Sequence, residues 1–295
     1  MRSPTGAVSG FLAYPDDSAE RDRWILSHRP ERQVGDAYRP YAVNVEEERA
    51  GSGEVVSVAA VFLTNRECPG RCLMCDLWKH SLRETVPGGA IPAQIDHALA
   101  WLNTQRQDPP LSRSIPLARH IKLYNSGSFF DPRSVPPEDH SAIAQRVCGF
   151  ERVIVECHPA FIGAAVVRFR DLLRAHAAEE RRRVDLLPEL EVALGLETAH
   201  PQVLGKLNKR MPLELFARAG AFLGQNGIAV RVFILVKPPF MSEADALPWA
   251  ERSLDFAFDS GAEVAVLIPT RSGNGALEAL ARQGHFSPPK LNPYA

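Results

Sequence analysis

Residues 55–75 read VVSVAAVFLTNRECPGRCLMC. The first nine, Val55 to Leu63, form a nearly continuous apolar run rich in valine, the pattern of a strand buried on both faces. The run ends in a polar loop that carries Cys68, Cys72 and Cys75 with the spacing C-x3-C-x2-C. In parallel α/β folds, ligands gather at the C-terminal ends of the strands. A cysteine-bearing loop directly after a buried strand therefore falls where chemistry is expected.

Outward from this stretch the chain alternates strand with helix. Past Pro92, the residues Ile95, Ala98, Leu99 and Leu102 stand at helical spacing. Strands are expected at Arg119–Tyr124, Arg152–Cys157, Leu190–Leu196, Ile228–Val236 and Glu263–Ile268. Helices are expected from near Pro137, over Ile162–Ala177, from near Pro212 through Phe222, after the capping pair Ser242 and Asp245, and over Gly275–Arg282. Six strand-then-helix units imply a parallel sheet with right-handed crossovers. Six is fewer than the eight of a closed barrel, so the expected fold is α/β, an open partial (β/α)6 barrel spanning residues 54–295. Residues 1–53, charged and rich in proline with Trp24, Tyr38 and Tyr41 as anchors, read as an N-terminal extension packed on it.

The chain has 295 residues, 45% hydrophobic and 23% charged, enough for a packed core. Its formal net charge of −1 excludes a globally basic nucleic-acid binder. No run approaches the roughly 20 apolar residues of a membrane-spanning helix. Met1 to Phe11 lacks the apolar centre of a secretory signal. The reading is a soluble cytoplasmic protein with no membrane partner. Five cysteines, three of them clustered, suit metal ligation better than a disulfide framework. Cys148 and Cys157 read as small buried hydrophobes.

Three thiolates hold three corners of a [4Fe-4S] cluster and leave the fourth iron open to a ligand, whereas an electron-transfer cluster recruits a fourth cysteine. A zinc site completed by His80 is the competing metal reading, with C-x3-C less usual for zinc than C-x2-C. A metal-stabilised scaffold that binds RNA or a partner without catalysis is the competing function.

Further polar residues sit at the other strand ends. Asn125, Ser126 and Gly127 follow the second strand, and small residues there let backbone approach a ligand closely, though an ordinary turn reads the same way. Glu156 ends an apolar strand, where a carboxylate is paired or faces a polar cleft. Glu197 ends the next; two such carboxylates suit a ribose diol and an ammonium, or salt bridges to Lys206, Lys209 or Arg210. His158 and Lys237 are the candidate catalytic residues, with a structural or solvated role as the plainer reading of each.

The cysteine spacing after the first strand of a six-unit partial barrel resembles the radical S-adenosylmethionine superfamily. The strings YNSGSFFDP, VECHPAFI, LGLET, LNKRM, VKPPF and IPTRSGNGALEAL follow in order, and with them the chain from about Glu54 to Pro289 resembles the radical subunit family of archaeosine synthase and its bacterial relatives, near the elongator-type branch. The resemblance implies that Cys68, Cys72 and Cys75 ligate the cluster, whose open iron chelates S-adenosylmethionine. It places the Met74 backbone at the adenine, where the family usually has an aromatic residue. Asn125, Ser126 and Gly127 fall at the methionyl amino group, in place of the family's Gly-Gly-Glu stretch. It further implies a flavodoxin- or ferredoxin-type reductant, and a lyase reaction on a modified tRNA base with a partner protein. Cys157-His158 replaces a Ser-Arg of the archaeal proteins, which leaves a small-molecule biosynthetic substrate as the other reading.

Overall fold

The computed structural model describes residues 13–33, 35–107, 118–179 and 187–290. Its frame is one seven-stranded sheet in sequential order. The strands are β1 (Ala42–Arg49), β2 (Val55–Leu63), β3 (His120–Asn125), β4 (Arg152–Cys157), β5 (Glu189–Glu197), β6 (Ala229–Val236) and β7 (Val264–Pro269). Strands β2 to β7 are parallel to their neighbours, and β1 pairs antiparallel with β2. The helices are α1 (Ser18–Ser27), α2 (Ala90–Gln107), α3 (His140–Val147), α4 (Ala164–Glu179), α5 (Pro201–Lys206), α6 (Leu213–Gln225), α7 (Glu243–Asp259) and α8 (Ala276–Arg282).

Each of the six expected strands is present, and the segment near Pro137 is a short 3-10 turn before α3. The expected boundary after residue 53 falls in the turn between β1 and β2, so the extension supplies a strand of the sheet. The stretch Met1–Phe11 lies outside the described residues.

Strand alternation divides the sheet into two faces. Ile121, Leu123, Val153, Val155, Val192, Leu194, Val230 and Val232 are buried in the main core with Ile91, Ile95, Ile143, Phe169 and Phe216 from the helices. The residues between them line the hollow of the curled sheet. At its floor these are charged: Lys122 of β3 bonds Glu46 and Glu48 of β1, and Arg231 of β6 bonds Glu191 of β5. Arg231 also reaches Glu48 at 3.2 Å, a contact from β6 to β1 across the hollow. The turn at Gly51 lies close to Glu263 and Val264 at the start of β7. The two edges of the sheet thus converge at the floor. At the other end β7 keeps a free edge, where Leu267 is 46% and Ile268 37% exposed. The structure is a half-barrel, closed below and parted above.

Candidate functional site

The cysteine loop leaves β2 at Leu63 and runs to a 3-10 turn at Leu77–His80. Several elements hold it. The Cys68 amide donates to the Ser126 carbonyl at 3.2 Å, while Asn65 Oδ1 accepts from the Ser126 amide and hydroxyl at 3.2 and 3.0 Å. The Leu73 amide donates to the Leu207 carbonyl at 2.9 Å. Asn274 Nδ2 donates to the carbonyls of Leu73 and Cys75 at 2.8 and 3.3 Å. The Leu73 side chain is fully buried among Trp24, Ile25, Leu277 and Leu280, which pins the middle of the loop between α1 and α8.

The three cysteines line one cavity of about 350 Å³ at the C-terminal mouth of the half-barrel. Met74, Ser126, Gly127, Glu156, His158 and Glu197 line the same cavity, so most of the expected site residues converge. Two do not. Asn125 is 2% exposed and does not line the cavity, and both its amide atoms lack a partner among the described residues. Lys237 was expected near the mouth, but its φ of 53° turns the chain away. Its ammonium instead bonds Glu243, the Ser287 hydroxyl at 2.8 Å and the Pro288 carbonyl at 3.3 Å. This corrects the barrel-mouth placement of Lys237: the structure gives it a bracing role at the C-terminal segment.

The electrostatics centre on Lys209, which the sequence reading treated as a possible partner of Glu197 or a residue of a solvated loop. Its Nζ lies 2.5 Å from Glu197 Oε1, the salt-bridge reading of that carboxylate. A bulge in β5 between Gly195 and Glu197, with Glu197 at φ 68°, aims the carboxylate inward. Non-glycine residues adopt that region at a cost, and such strain clusters at functional sites. Burial alone would lower the Lys209 pKa, but the facing Glu197 holds it above its ordinary value. Burial raises Glu156 to about 8, with Glu197 adding repulsion and Lys209 opposing. His158 is pushed down to about 4, first by burial and then by Lys209. Its Nδ1 accepts from the Ala160 amide at 3.1 Å, so the ring stands neutral at the mouth as the cap of a short turn.

Burial also raises all three loop thiols, Cys72 to about 12. Thiols in such surroundings ionise when a metal takes the place of the proton. The donor set fits a cluster ligated at three corners: three thiols from one loop, and no further cysteine of that loop. Cys157 also lines the cavity, from the end of β4, and is 2% exposed. His80, the fourth ligand of the zinc reading, stacks on Tyr41 with centroids 4.6 Å apart and does not line the cavity. Among the described residues no three His, Cys, Asp or Glu side chains are gathered as for a single ion. In a four-iron cluster each thiolate meets a different iron, which asks for a wider spacing.

Sequence reading missed Asn274 and Thr270. Asn274 is 4% exposed and Thr270 3%, and both line the cavity from beyond β7. The only signal for Asn274 was its place in the string IPTRSGNGALEAL.

Fold and site together define an α/β half-barrel whose mouth holds a cavity lined by the three thiols of one loop, by Cys157, and by Asp76, Glu156 and Glu197. No family model matches the chain. It is 24% identical over 273 residues to an uncharacterized protein of Methanocaldococcus jannaschii, covering 90% of this chain and 70% of that one. It is 27% identical over 175 residues to archaeosine synthase subunit beta of Methanosarcina acetivorans, covering 58% of this chain. That match spans 47% of the relative, about half its length. Coproporphyrinogen III oxidase from Escherichia coli, a radical SAM enzyme, superposes with a TM-score of 0.43 at 12% identity, covering 89% of this chain and 50% of that one. The resemblance to the archaeosine-synthase subunit first drawn from short strings is therefore present along the aligned sequence, at modest identity. Among the described residues no helix is long and apolar enough to cross a membrane.

Proposed function

We propose that the chain is a radical S-adenosylmethionine enzyme. The observation that carries this reading is the cavity shared by the thiols of Cys68, Cys72 and Cys75 with Glu156, Glu197 and Lys209. In the proposal the three cysteines hold a [4Fe-4S] cluster by three of its irons. A cluster bound there would supply the electron for reductive cleavage of the sulfonium S–C5′ bond of S-adenosylmethionine, which would release methionine and give a 5′-deoxyadenosyl radical able to take hydrogen from substrate.

The chain's own groups bind and orient. The backbone at Met74 and at Ser126–Gly127 offers polar groups to the nucleoside and the amino acid part of the cofactor. Glu156 faces the ribose diol and, protonated at neutral pH, offers it one hydroxyl donor and one carbonyl acceptor. The Lys209–Glu197 pair presents one charge of each sign, which suits the carboxylate and ammonium of a zwitterion. His158, whose Nδ1 lone pair is taken by the Ala160 amide, carries its proton on Nε2 and stands at the rim as a neutral hydrogen-bond donor.

For the substrate, the similarity to archaeosine synthase subunit beta supports a modified tRNA base acted on with a partner protein, the reaction being a lyase step. The reductant is of flavodoxin or ferredoxin type. The test is anaerobic reconstitution with dithionite and S-adenosylmethionine, following 5′-deoxyadenosine with and without bulk tRNA. Iron-dependent 5′-deoxyadenosine supports the enzyme, and stimulation by tRNA supports the RNA substrate over a small molecule. A colourless protein with stoichiometric zinc overturns the reading.

A further inference from the structure

Glu67, immediately before the first cysteine, accepts hydrogen bonds from Arg29 and Arg32 and forms an ion pair with Arg71 as well. Arg29 Nη1 lies 2.6 Å and Arg71 Nη1 3.0 Å from its Oε1, and Arg32 Nη2 bonds Oε2. The cluster is well shielded: the side chains of Arg29, Glu67 and Arg32 are 8%, 12% and 20% exposed. Arg29 and Arg32 come from the segment between α1 and β1, and Arg71 from the cysteine loop itself.

Each arginine has a second anchor on the loop or its flank. The Arg29 guanidinium sits 4.6 Å from the centre of the Trp78 ring, whose indole N–H donates to the Cys75 carbonyl at 3.1 Å. Arg32 donates to the Ser81 carbonyl and hydroxyl at 3.2 and 3.1 Å. Arg71 donates to the carbonyls of Cys68 and Gly70 at 2.6 and 3.0 Å. The segment between α1 and β1 thus grips the cysteine loop before Cys68 and again after Cys75. Three guanidinium charges on one carboxylate leave an excess of two positive charges within the grip. Shielded charge of one sign is costly unless opposite charge faces it. Thiolates at Cys68 and Cys72 would supply that charge.

We propose that Arg29 and Arg32 are positioning residues for the metal-binding loop. They hold Cys68 and Cys75 in place through Glu67 and Trp78, and set their excess positive charge against the thiolate-bound centre. The segment ahead of β1 is on this view part of the metal site. The proposal rests on the reading of the three cysteines as cluster ligands.

The test compares the full chain with Arg29→Ala, Arg29→Lys, Arg32→Ala and Glu67→Gln. Amide hydrogen exchange of the metal-free proteins reports the loop itself. Residues 67–75 should exchange at least about tenfold faster in Arg29→Ala and Glu67→Gln, as expected for losing hydrogen bonds to a charged group, with β2 to β6 unchanged. After anaerobic loading, the same variants should lose iron faster to a ferrous chelator. The midpoint potential of Arg29→Ala should move negative, because a cation near the centre favours the added electron, and Arg29→Lys should restore it. If Arg29→Ala does not fold, the more exposed Arg32→Ala carries the same expectation. Parent-like exchange of residues 67–75 in the variants overturns the proposal. A parent chain that takes up no iron defeats the cluster reading, and the exchange data on metal-free protein then decide the grip separately.

Discussion

Lys209 Nζ stands 2.5 Å from Glu197 Oε1, with the two side chains 9% and 11% exposed. Removing one partner of such a pair strands the other charge. Lys209→Met leaves Glu197 and Glu156 facing one another without a cation, and should cost about 3 kcal/mol in urea unfolding. Lys209→Met combined with Glu197→Gln should regain most of that loss. A double variant no more stable than the single one contradicts the pairing.

The pair exists because Gly195 has no side chain. A β-carbon there would lie 2.3 Å from both Glu197 Oε1 and Lys209 Nζ. Gly195→Ala must push the ion pair apart, an overpacking cost of about 1–3 kcal/mol. The cost should shrink when Lys209 is already shortened to alanine, since the clash is with the far end of a flexible side chain. Additive effects in the two-residue cycle would contradict the contact.

Glu156 gives the protein a pH dependence of definite sign. Its folded pKa, about 8, lies above the ordinary value of 4.5. The folded chain therefore holds a proton that the unfolded chain has released between those values. Its contribution to stability is complete below the unfolded pKa and is lost as pH rises through about 8, with a slope of at most about 1.4 kcal/mol per pH unit. Glu156→Gln should flatten this fall, as read from unfolding midpoints between pH 5 and pH 9. Equal slopes in both proteins would show that Glu156 is not the source.

Cys72→Ala should abolish iron uptake while costing about 1 kcal/mol or less of barrel stability, because the thiol lines an open cavity. Iron content after anaerobic reconstitution and thermal unfolding of the apo protein measure the two effects. A variant that keeps a full iron complement would remove Cys72 from the ligand set.

How far the sequence was legible follows from the range of each interaction. Strands β2 to β7 were readable to within about a residue because buried parallel strands are dominated by apolar residues, even where Lys122, Glu191 and Arg231 interrupt them. The thiol loop was readable because its three ligands are neighbours in sequence. β1 was not. Its sequence AVNVEEER looks solvated, and becomes a strand because Glu46 and Glu48 meet Lys122 and Arg231, residues far along the chain. Asn274 was obscure for the same reason, since its partners Leu73 and Cys75 lie across loops, whereas Lys209 was named among three basic residues that could pair with Glu197. Lys237 misled because an apolar strand says where the side chain before its end points, but not that the chain turns left-handed at the next residue.

The converging floor and parted mouth set what kind of molecule the cavity can receive. A complete ring admits only what can be threaded through its rim. Here the floor is bolted by Glu48 and Arg231 while the upper half of β7 stands free. The entrance consequently has no closed ladder of strands around it, and its border beside β7 is the segment from Thr270 to Asn274, which Asn274 ties to the cysteine loop.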